Sequence, residues 1–123
     1  MATKKRILIV DDERDLVETM TFRLEASGYE ILKAYDGQEG LKKIREEKPD
    51  LVLLDVMMPL KDGYQVCQEV KNDEKIRNIP VIMLTAKSQE SDKSVGESVG
   101  VDDYLTKPFQ SHELLEKIEK FLK

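Results

Sequence analysis

The sequence predicts an α/β fold in which five strands alternate with helices and form one doubly wound parallel sheet. Three of its apolar stretches are continuous rather than alternating, which is typical of strands covered on both faces. Segments with helical periodicity lie between the apolar stretches. With 123 residues, of which 40% are hydrophobic and 37% charged, the chain has the size and balance of one globular domain. We therefore expect residues 1–123 to form a single domain.

The continuous stretches are predicted to be central strands, and two more polar stretches are predicted to be edge strands. The central strands are expected at residues 7–10, 51–54 and 81–84. The edge strands are expected at residues 31–34 and 104–106, because polar residues interrupt or precede their apolar residues. If the second and fifth strands lie at the edges and the crossovers are right-handed, the simplest strand order is 2-1-3-4-5.

Four of the five expected helices carry a clear apolar face. In chain order, these faces consist of Leu16, Val17, Met20 and Leu24; Leu41 and Ile44; Val66, Cys67 and Val70; and Leu114, Leu115, Ile118, Phe121 and Leu122. We expect Asp12 to cap the N-terminus of the first helix and Gly28 to cap its C-terminus.

The fourth helix, expected within residues 87–100, has a weaker pattern than the other four. It offers only Val95 and Val99 as core contacts, and it contains Gly96 and several serines, which are poorer helix formers than alanine. Few apolar contacts and low propensity predict low local stability in this segment.

Composition excludes several classes of protein. The single Cys67 rules out an internal disulfide and fits a reducing compartment, and the single His112 excludes a metal site built from several histidines. The net charge is −5 and the basic residues are scattered, which argues against direct nucleic-acid binding. No apolar run approaches the ~20 residues of a membrane span. We expect a cytoplasmic domain with no membrane contact.

Charged and hydroxyl side chains stand at the carboxyl ends of four predicted strands. Asp11 and Asp12 follow the first strand, Asp55 ends the third, Thr85 ends the fourth and Lys107 follows the fifth. Ligands of open parallel sheets bind outside these strand ends. Three converging carboxylates require compensation, for which Mg²⁺, or alternatively Mn²⁺, is suited. With a lysine and a hydroxyl, the set can support phosphoryl transfer to a carboxylate.

Each of these residues alone also has an ordinary structural explanation. Asp11 and Asp12 could complement the start of the first helix, Thr85 could simply end a strand, and Lys107 could be a solvated surface charge. Their joint occurrence at four strand ends favours a functional site.

Four stretches, taken in order and with their spacing, resemble the receiver domain of two-component response regulators, the CheY-like family. They are residues 7–13, residues 53–59 with Asp62 and Gly63, residues 81–86 and residues 102–109. The resemblance covers the whole chain and implies the flavodoxin-like fold with the strand order given above.

The resemblance implies a role for each residue of the site. Asp55 would be the phosphoacceptor, Asp12 would bind Mg²⁺ directly, and Asp11 would do so largely through water. Met57 would offer its backbone carbonyl to the metal, and Lys107 would pair with the phosphoryl oxygens.

The residues flanking the site also take roles from the resemblance. Thr85 and Tyr104 would form a switch pair, and the small Ala86 would leave room for the phosphoryl group. Met57 and Lys87 would tune the lifetime of the phosphorylated state. The bond before Pro108 is expected to be cis. Gly63 is expected to serve a tight turn.

The function implied is that of a signalling phosphoacceptor rather than an enzyme with an external substrate. The phosphoryl group would come from a sensor histidine kinase or a histidine phosphotransfer protein, since His112 lies outside any motif. The first helix is the expected docking face for the kinase. The fourth helix, fifth strand and fifth helix are the expected surface for an unknown output partner.

Three alternatives share parts of this pattern. A flavodoxin-like cofactor binder would need a loop of backbone donors after the first strand, where this chain has Asp11, Asp12 and Glu13. A phosphatase with an aspartyl nucleophile commonly has that nucleophile on the first strand, together with a cap domain. A non-phosphorylated docking module would not need the complete set of acidic residues, Thr85 and Lys107.

Overall fold

The computed structural model describes residues 4–86 and 98–122, in which five parallel strands form one sheet. Its strands are β1 (Arg6–Val10), β2 (Glu30–Ala34), β3 (Leu51–Asp55), β4 (Val81–Ala86) and β5 (Asp103–Lys107). The order across the sheet is β2-β1-β3-β4-β5, and every neighbouring pair is parallel. The predicted fold class, strand order and edge strands are therefore confirmed.

Four helices are described. They are α1 (Arg14–Ala26), α2 (Gly37–Glu47), α3 (Gly63–Lys71) and the C-terminal helix (Ser111–Leu122). The fourth helix expected from the sequence falls largely on residues 87–97, which lie outside the described residues. Lys87 is among them, and the low stability expected of that segment therefore stays a prediction. None of the described helices combines the length and low polarity that a membrane span requires.

The sheet separates two apolar layers. Alternate residues of each strand point to opposite faces, so that Ile7 and Ile9 of β1 lie in one layer, and Leu8 and Val10 lie in the other. The first layer is completed by α1 and the C-terminal helix, and the second by α2 and α3. Because both faces are covered, the central strands are apolar throughout, as the sequence pattern predicts.

The predicted N-cap of the first helix is wrong. Glu13, rather than Asp12, occupies the N-cap position of α1, and its side chain makes no capping hydrogen bond. Instead, the backbone N–H of Glu13 donates to Asp11 Oδ1 at 2.9 Å. Asp12 is a residue type favoured at caps, but it belongs to the acidic cluster at the strand ends. Gly28, with φ 97°, follows the C-cap Ser27.

Candidate functional site

Three aspartates meet at the carboxyl end of the sheet. Val10 of β1 pairs with Leu54 of β3, so Asp11 lies beside Asp55 where the two strands end. One carboxylate oxygen from each of Asp11, Asp12 and Asp55 can be chosen so that all three lie within 4.8 Å of one another. Asp11 is fully buried and Asp55 is 6% exposed, whereas Asp12 is exposed to solvent. The cluster thus has a buried base and an open side.

Lys107 brings a positive charge to this cluster. It ends β5, where it pairs with Ala86, and its peptide bond to Pro108 is cis, as expected. Its Nζ donates hydrogen bonds to Asp11 Oδ2 at 2.8 Å and to Glu13 Oε1 at 3.0 Å. The distance from Nζ to Asp55 Oδ1 is 3.4 Å. One ammonium group is therefore shared among three carboxylates.

The electrostatic environment affects Asp55 and Lys107 in different ways. Burial and then the charge of Asp11 raise the pKa of Asp55 from 3.8 to about 6, although Lys107 acts in the opposite direction. For Lys107, burial lowers the pKa, but hydrogen bonds to Asp11 and Glu13 outweigh burial and raise it overall. Lys107 is therefore charged at neutral pH. Asp55 is negatively charged above its raised pKa, in surroundings whose burial and neighbouring Asp11 favour its protonated form.

Excess negative charge makes the cluster suitable for a cation. Mg²⁺ prefers oxygen ligands and needs only one or two carboxylates when waters complete its shell. The oxygens of Asp11, Asp12 and Asp55 could hold such an ion. A bound cation would reduce the repulsion among the three aspartates, which one lysine only partly offsets.

Thr85 and Tyr104 lie on the same face of the sheet. Tyr104 of β5 pairs with Met83 of β4, which precedes Thr85 by two residues. Thr85 is fully buried, and its hydroxyl has no hydrogen-bond partner among the described residues. Tyr104 is half-buried and packs against the layer that contains α2 and α3. Thr85 directly follows Leu84, which pairs with Asp55, so this buried hydroxyl stands at the same edge of the sheet as the acidic cluster.

Of the other predicted site residues, the structure describes Ala86, Pro108 and Met57. Ala86 ends β4, and together with Pro108 and Lys107 it lines a cleft beside the cluster. Met57 lies two residues beyond Asp55, in the β3–α3 loop, and its side chain is 65% exposed. The cluster thus brings together residues from four of the five strand ends.

Gly63 is required for a reason that differs from the predicted one. It is the first residue of α3 and does not have a positive φ, so it serves no left-handed turn. A Cβ at this position would lie 2.3 Å from the carbonyl oxygen of Asp55 and 2.9 Å from the sulfur of Met83. Asp62 and Gln65 cap the same helix end reciprocally. Glycine here permits α3 to begin directly against the end of β3.

Glu13 is the site residue that sequence reasoning missed. Its carboxylate shares Lys107 with Asp11, yet its side chain is 62% exposed. The available signal was a third acidic residue directly after Asp11 and Asp12.

The chain is similar in sequence to known proteins over almost its whole length. The family model of the response regulator receiver domain matches residues 7–119. The chain is 45% identical over 119 residues to the alkaline phosphatase synthesis transcriptional regulatory protein PhoP of Bacillus subtilis. That match covers 97% of this chain and 49% of PhoP, so the chain spans about half the length of this curated relative.

Solved structures show the same similarity over nearly the whole chain. A putative response regulator from Chloroflexus aurantiacus superposes with a TM-score of 0.92 at 36% identity, covering 98% of both chains. The receiver domain of the sensor histidine kinase PA1611 from Pseudomonas aeruginosa, determined with magnesium coordinated in its active-site cleft, superposes with a TM-score of 0.89 at 28% identity, again covering 98% of both chains. On its sequence, its fold and its acidic cluster, this chain belongs to the family of response regulator receiver domains.

Proposed function

We propose that Asp55 accepts a phosphoryl group from a phosphohistidine of a sensor histidine kinase or a histidine phosphotransfer protein. The observation that carries this proposal is the convergence of three aspartate oxygens within 4.8 Å, with the Nζ of Lys107 beside them. A carboxylate oxygen of Asp55 would attack the phosphorus atom. The P–N bond of the donor would break, and the imidazole would leave with the electron pair.

The nucleophile is Asp55 rather than Asp11 or Asp12 because of its surroundings. Asp11 is fully buried and accepts hydrogen bonds from Lys107 and from the backbone of Glu13. Asp12 is exposed and suited to hold an ion at the open side. Asp55 is intermediate in exposure, at 6%, and its charge is destabilised by burial and by Asp11. Formation of an acyl phosphate moves negative charge from this buried oxygen onto the more exposed phosphoryl group.

Asp11, Asp12 and Asp55, with the backbone carbonyl of Met57, are proposed to hold Mg²⁺, with Mn²⁺ as a possible substitute. When bound, the metal would supply positive charge to the phosphoryl oxygens and reduce their repulsion from the aspartates. The oxygen donor set supports this assignment, as does the magnesium ion in the similar receiver domain from Pseudomonas aeruginosa. Lys107 would supply a second positive charge to the oxygens of the transferred group.

The cleft beside Lys107 supports the approach of the donor from the side of α1. It is lined by apolar groups of Leu16, Pro108 and Phe109 in addition to Ala86. These residues lie around Lys107, which contacts Asp11 and Asp55, and would contact a helix that presents a phosphohistidine. We propose that this side of α1 is the docking face for the phosphodonor.

Phosphorylation is proposed to act through Thr85 and Tyr104. The hydroxyl of Thr85 is buried without a partner among the described residues, so a phosphoryl oxygen on Asp55 would offer it an acceptor. Movement of Thr85 would free space on the same face, into which Tyr104 could turn. Ala86 would leave room for the phosphoryl group, and Met57 and Lys87 would adjust its lifetime. The output surface would be that of the fourth helix, fifth strand and fifth helix.

The chain is further proposed to act as one cytoplasmic domain, residues 1–123, that promotes only its own phosphorylation and dephosphorylation. The net charge of −5 and the scattered basic residues support a domain that contacts proteins rather than nucleic acid or membrane.

Intact mass after incubation with acetyl phosphate and Mg²⁺ tests the proposal. One added phosphoryl group that is labile to hydroxylamine is expected for the unchanged chain. Asp55→Asn and a metal-free sample should show no added mass. The exposed Glu46→Gln variant should be phosphorylated normally, which controls for the loss of one negative charge.

Rapid hydrolysis could hide the product, so beryllofluoride, whose aspartyl adduct mimics the acyl phosphate, provides a second measurement. Binding that requires both Mg²⁺ and Asp55 would support a short-lived phosphorylated state. Absence of both the added mass and beryllofluoride binding would contradict the proposed function and favour a non-phosphorylated docking module.

A further inference from the structure

The Lys107 ammonium lies beside three carboxylates, and it donates hydrogen bonds to two of them, Asp11 and Glu13. The contacts are 2.8 Å to Asp11, 3.0 Å to Glu13 and 3.4 Å to Asp55. The side chain of Lys107 is only 16% exposed, so little of the group remains open to water. Hydrogen bonds to Asp11 and Glu13 use two of the three ammonium donors, so a phosphoryl oxygen on Asp55 competes with these carboxylates for Lys107.

The three acceptors differ in what their release would cost. Asp11 is fully buried, so losing Lys107 would leave its desolvated charge with only the backbone N–H of Glu13 as a donor. Asp55 is the proposed point of attachment and remains next to the phosphoryl group. The side chain of Glu13 is 62% exposed, and its carboxylate can turn to water at small cost. Glu13 is therefore the acceptor whose contact is easiest to release.

We infer that Glu13 is a positioning residue that holds Lys107 on the side of α1 in the unphosphorylated state and competes with the phosphoryl group for it. This inference rests on the proposed phosphorylation of Asp55. It assigns to Glu13 a restraining effect: the phosphoryl group gains Lys107 at the expense of the contact between Lys107 and Glu13. The protein without this contact should hold a phosphoryl analogue more tightly.

Beryllofluoride affinity, measured by calorimetry on the whole chain with saturating Mg²⁺, tests the inference. Exposed ion pairs contribute about 0.2–1 kcal/mol, so Glu13→Gln is expected to lower the Kd for beryllofluoride by a factor of about 1.4 to 5. Glu13→Asp retains the negative charge but shortens the side chain so that it no longer reaches Lys107. It should lower the Kd to a similar extent if the contact itself matters.

Glu18→Gln is the matched control. Glu18 also lies at the surface of α1, with a side chain that is 63% exposed and an ion pair to Lys33 at 3.2 Å. Its substitution removes the same charge and a similar contact away from the site, so the Kd should stay unchanged. An increase in affinity for Glu18→Gln equal to that for Glu13→Gln would overturn the inference in favour of a general charge effect. So would a wild-type Kd for Glu13→Asp.

The nitrogen chemical shift of the Lys107 ammonium group, measured by NMR, gives a readout that a purely structural role would not change. Wild type and Glu13→Gln should differ in this chemical shift in the free state. They should agree once beryllofluoride is bound, because neither protein then has the contact between Lys107 and residue 13. A difference that persists in the bound state would overturn the inference. If wild type binds no beryllofluoride, the proposed function itself fails; if wild type binds and the Kd values of the Glu13 variants match it, only the inference fails.

Discussion

The Cα of Gly63 lies so close to β3 that a side chain there would begin 2.3 Å from the carbonyl oxygen of Asp55. The backbone N–H of Gly63 also donates to the carbonyl of Val56 at 2.8 Å. The start of α3 is therefore fitted directly against the residue that carries the proposed nucleophile. Any displacement of α3 at this point would be transmitted to Asp55.

Gly63→Ala is expected to disturb both stability and the site. The new methyl group must push apart two backbone segments, and overpacking of this kind costs about 1–3 kcal/mol. We expect a free energy of unfolding lowered by that amount in urea titrations. We also expect a weaker affinity for beryllofluoride, because Asp55 must move.

Gly28→Ala separates these two effects. Gly28 has φ 97° and open space around it, so alanine there costs about 1–2 kcal/mol through backbone strain alone, far from the aspartates. Its beryllofluoride affinity should equal that of wild type. A Gly63→Ala variant with unchanged beryllofluoride affinity would contradict the proposed coupling between α3 and Asp55.

The raised pKa of Asp55 makes stability depend on pH. Folding raises this pKa from 3.8 to about 6, so between these values the folded chain binds more protons than the unfolded chain. Stability therefore falls as pH rises through this window. At pH 7 without metal, the charged Asp55 destabilises the fold by up to about 3 kcal/mol, given 1.36 kcal/mol per pKa unit.

Asp55→Asn should remove this cost. In metal-free buffer at pH 7, the variant is expected to be more stable than wild type by about 1–3 kcal/mol, and the difference should vanish near pH 4. Urea unfolding at a series of pH values measures it, with the exposed Glu46→Gln as the charge control. The raised pKa of Asp55 would be contradicted if the stability difference between Asp55→Asn and wild type were no larger at pH 7 than at pH 4.

Metal binding should stabilise the fold through Asp12. A ligand at one hundred times its Kd adds about 2.7 kcal/mol, so Mg²⁺ is expected to raise the melting temperature of the unchanged chain. Asp12 is exposed, and Asp12→Asn should lose most of this metal-dependent increase without a large effect on the metal-free protein. Asp15→Asn, on the same exposed end of α1, should keep the full increase. An equal Mg²⁺-dependent increase in all three proteins would contradict the assigned role.

The sequence was sufficient for the sheet and for most of the site, but it could not predict contacts that only the tertiary structure creates. Continuous apolar strands identify a sheet covered on both faces, and the residues at their ends, such as Asp11 and Asp55, necessarily meet at one edge. The contact between Glu13 and Lys107 spans 94 residues, and no local pattern indicates it. Propensity alone favours Asp12 as the N-cap of α1, because it takes no account of the neighbouring strand ends.

Lys71 joins three segments at the end of the sheet opposite the acidic cluster. At the end of α3, its Nζ donates to the carbonyl oxygens of Arg77 at 3.1 Å and Ile79 at 2.9 Å, and to Asp102 Oδ2 at 2.8 Å. The same oxygen of Asp102 accepts from the backbone N–H of Val81 at 2.8 Å. The pair thus connects α3, the segment before β4 and the start of β5.

Lys71→Met keeps most of the aliphatic side chain but leaves these acceptors without their donor, so the free energy of unfolding should fall by about 2 kcal/mol. In a double-mutant cycle with Asp102→Asn, the coupling energy should reach about 1 kcal/mol, because both side chains are largely shielded from solvent. The more exposed pair of Lys33 and Glu18 serves as the control, with an expected coupling below about 0.5 kcal/mol. Equal coupling energies for the two pairs would contradict this prediction. Lys71 would then stabilise the fold only through its backbone acceptors, and its contact with Asp102 would be an ordinary surface ion pair.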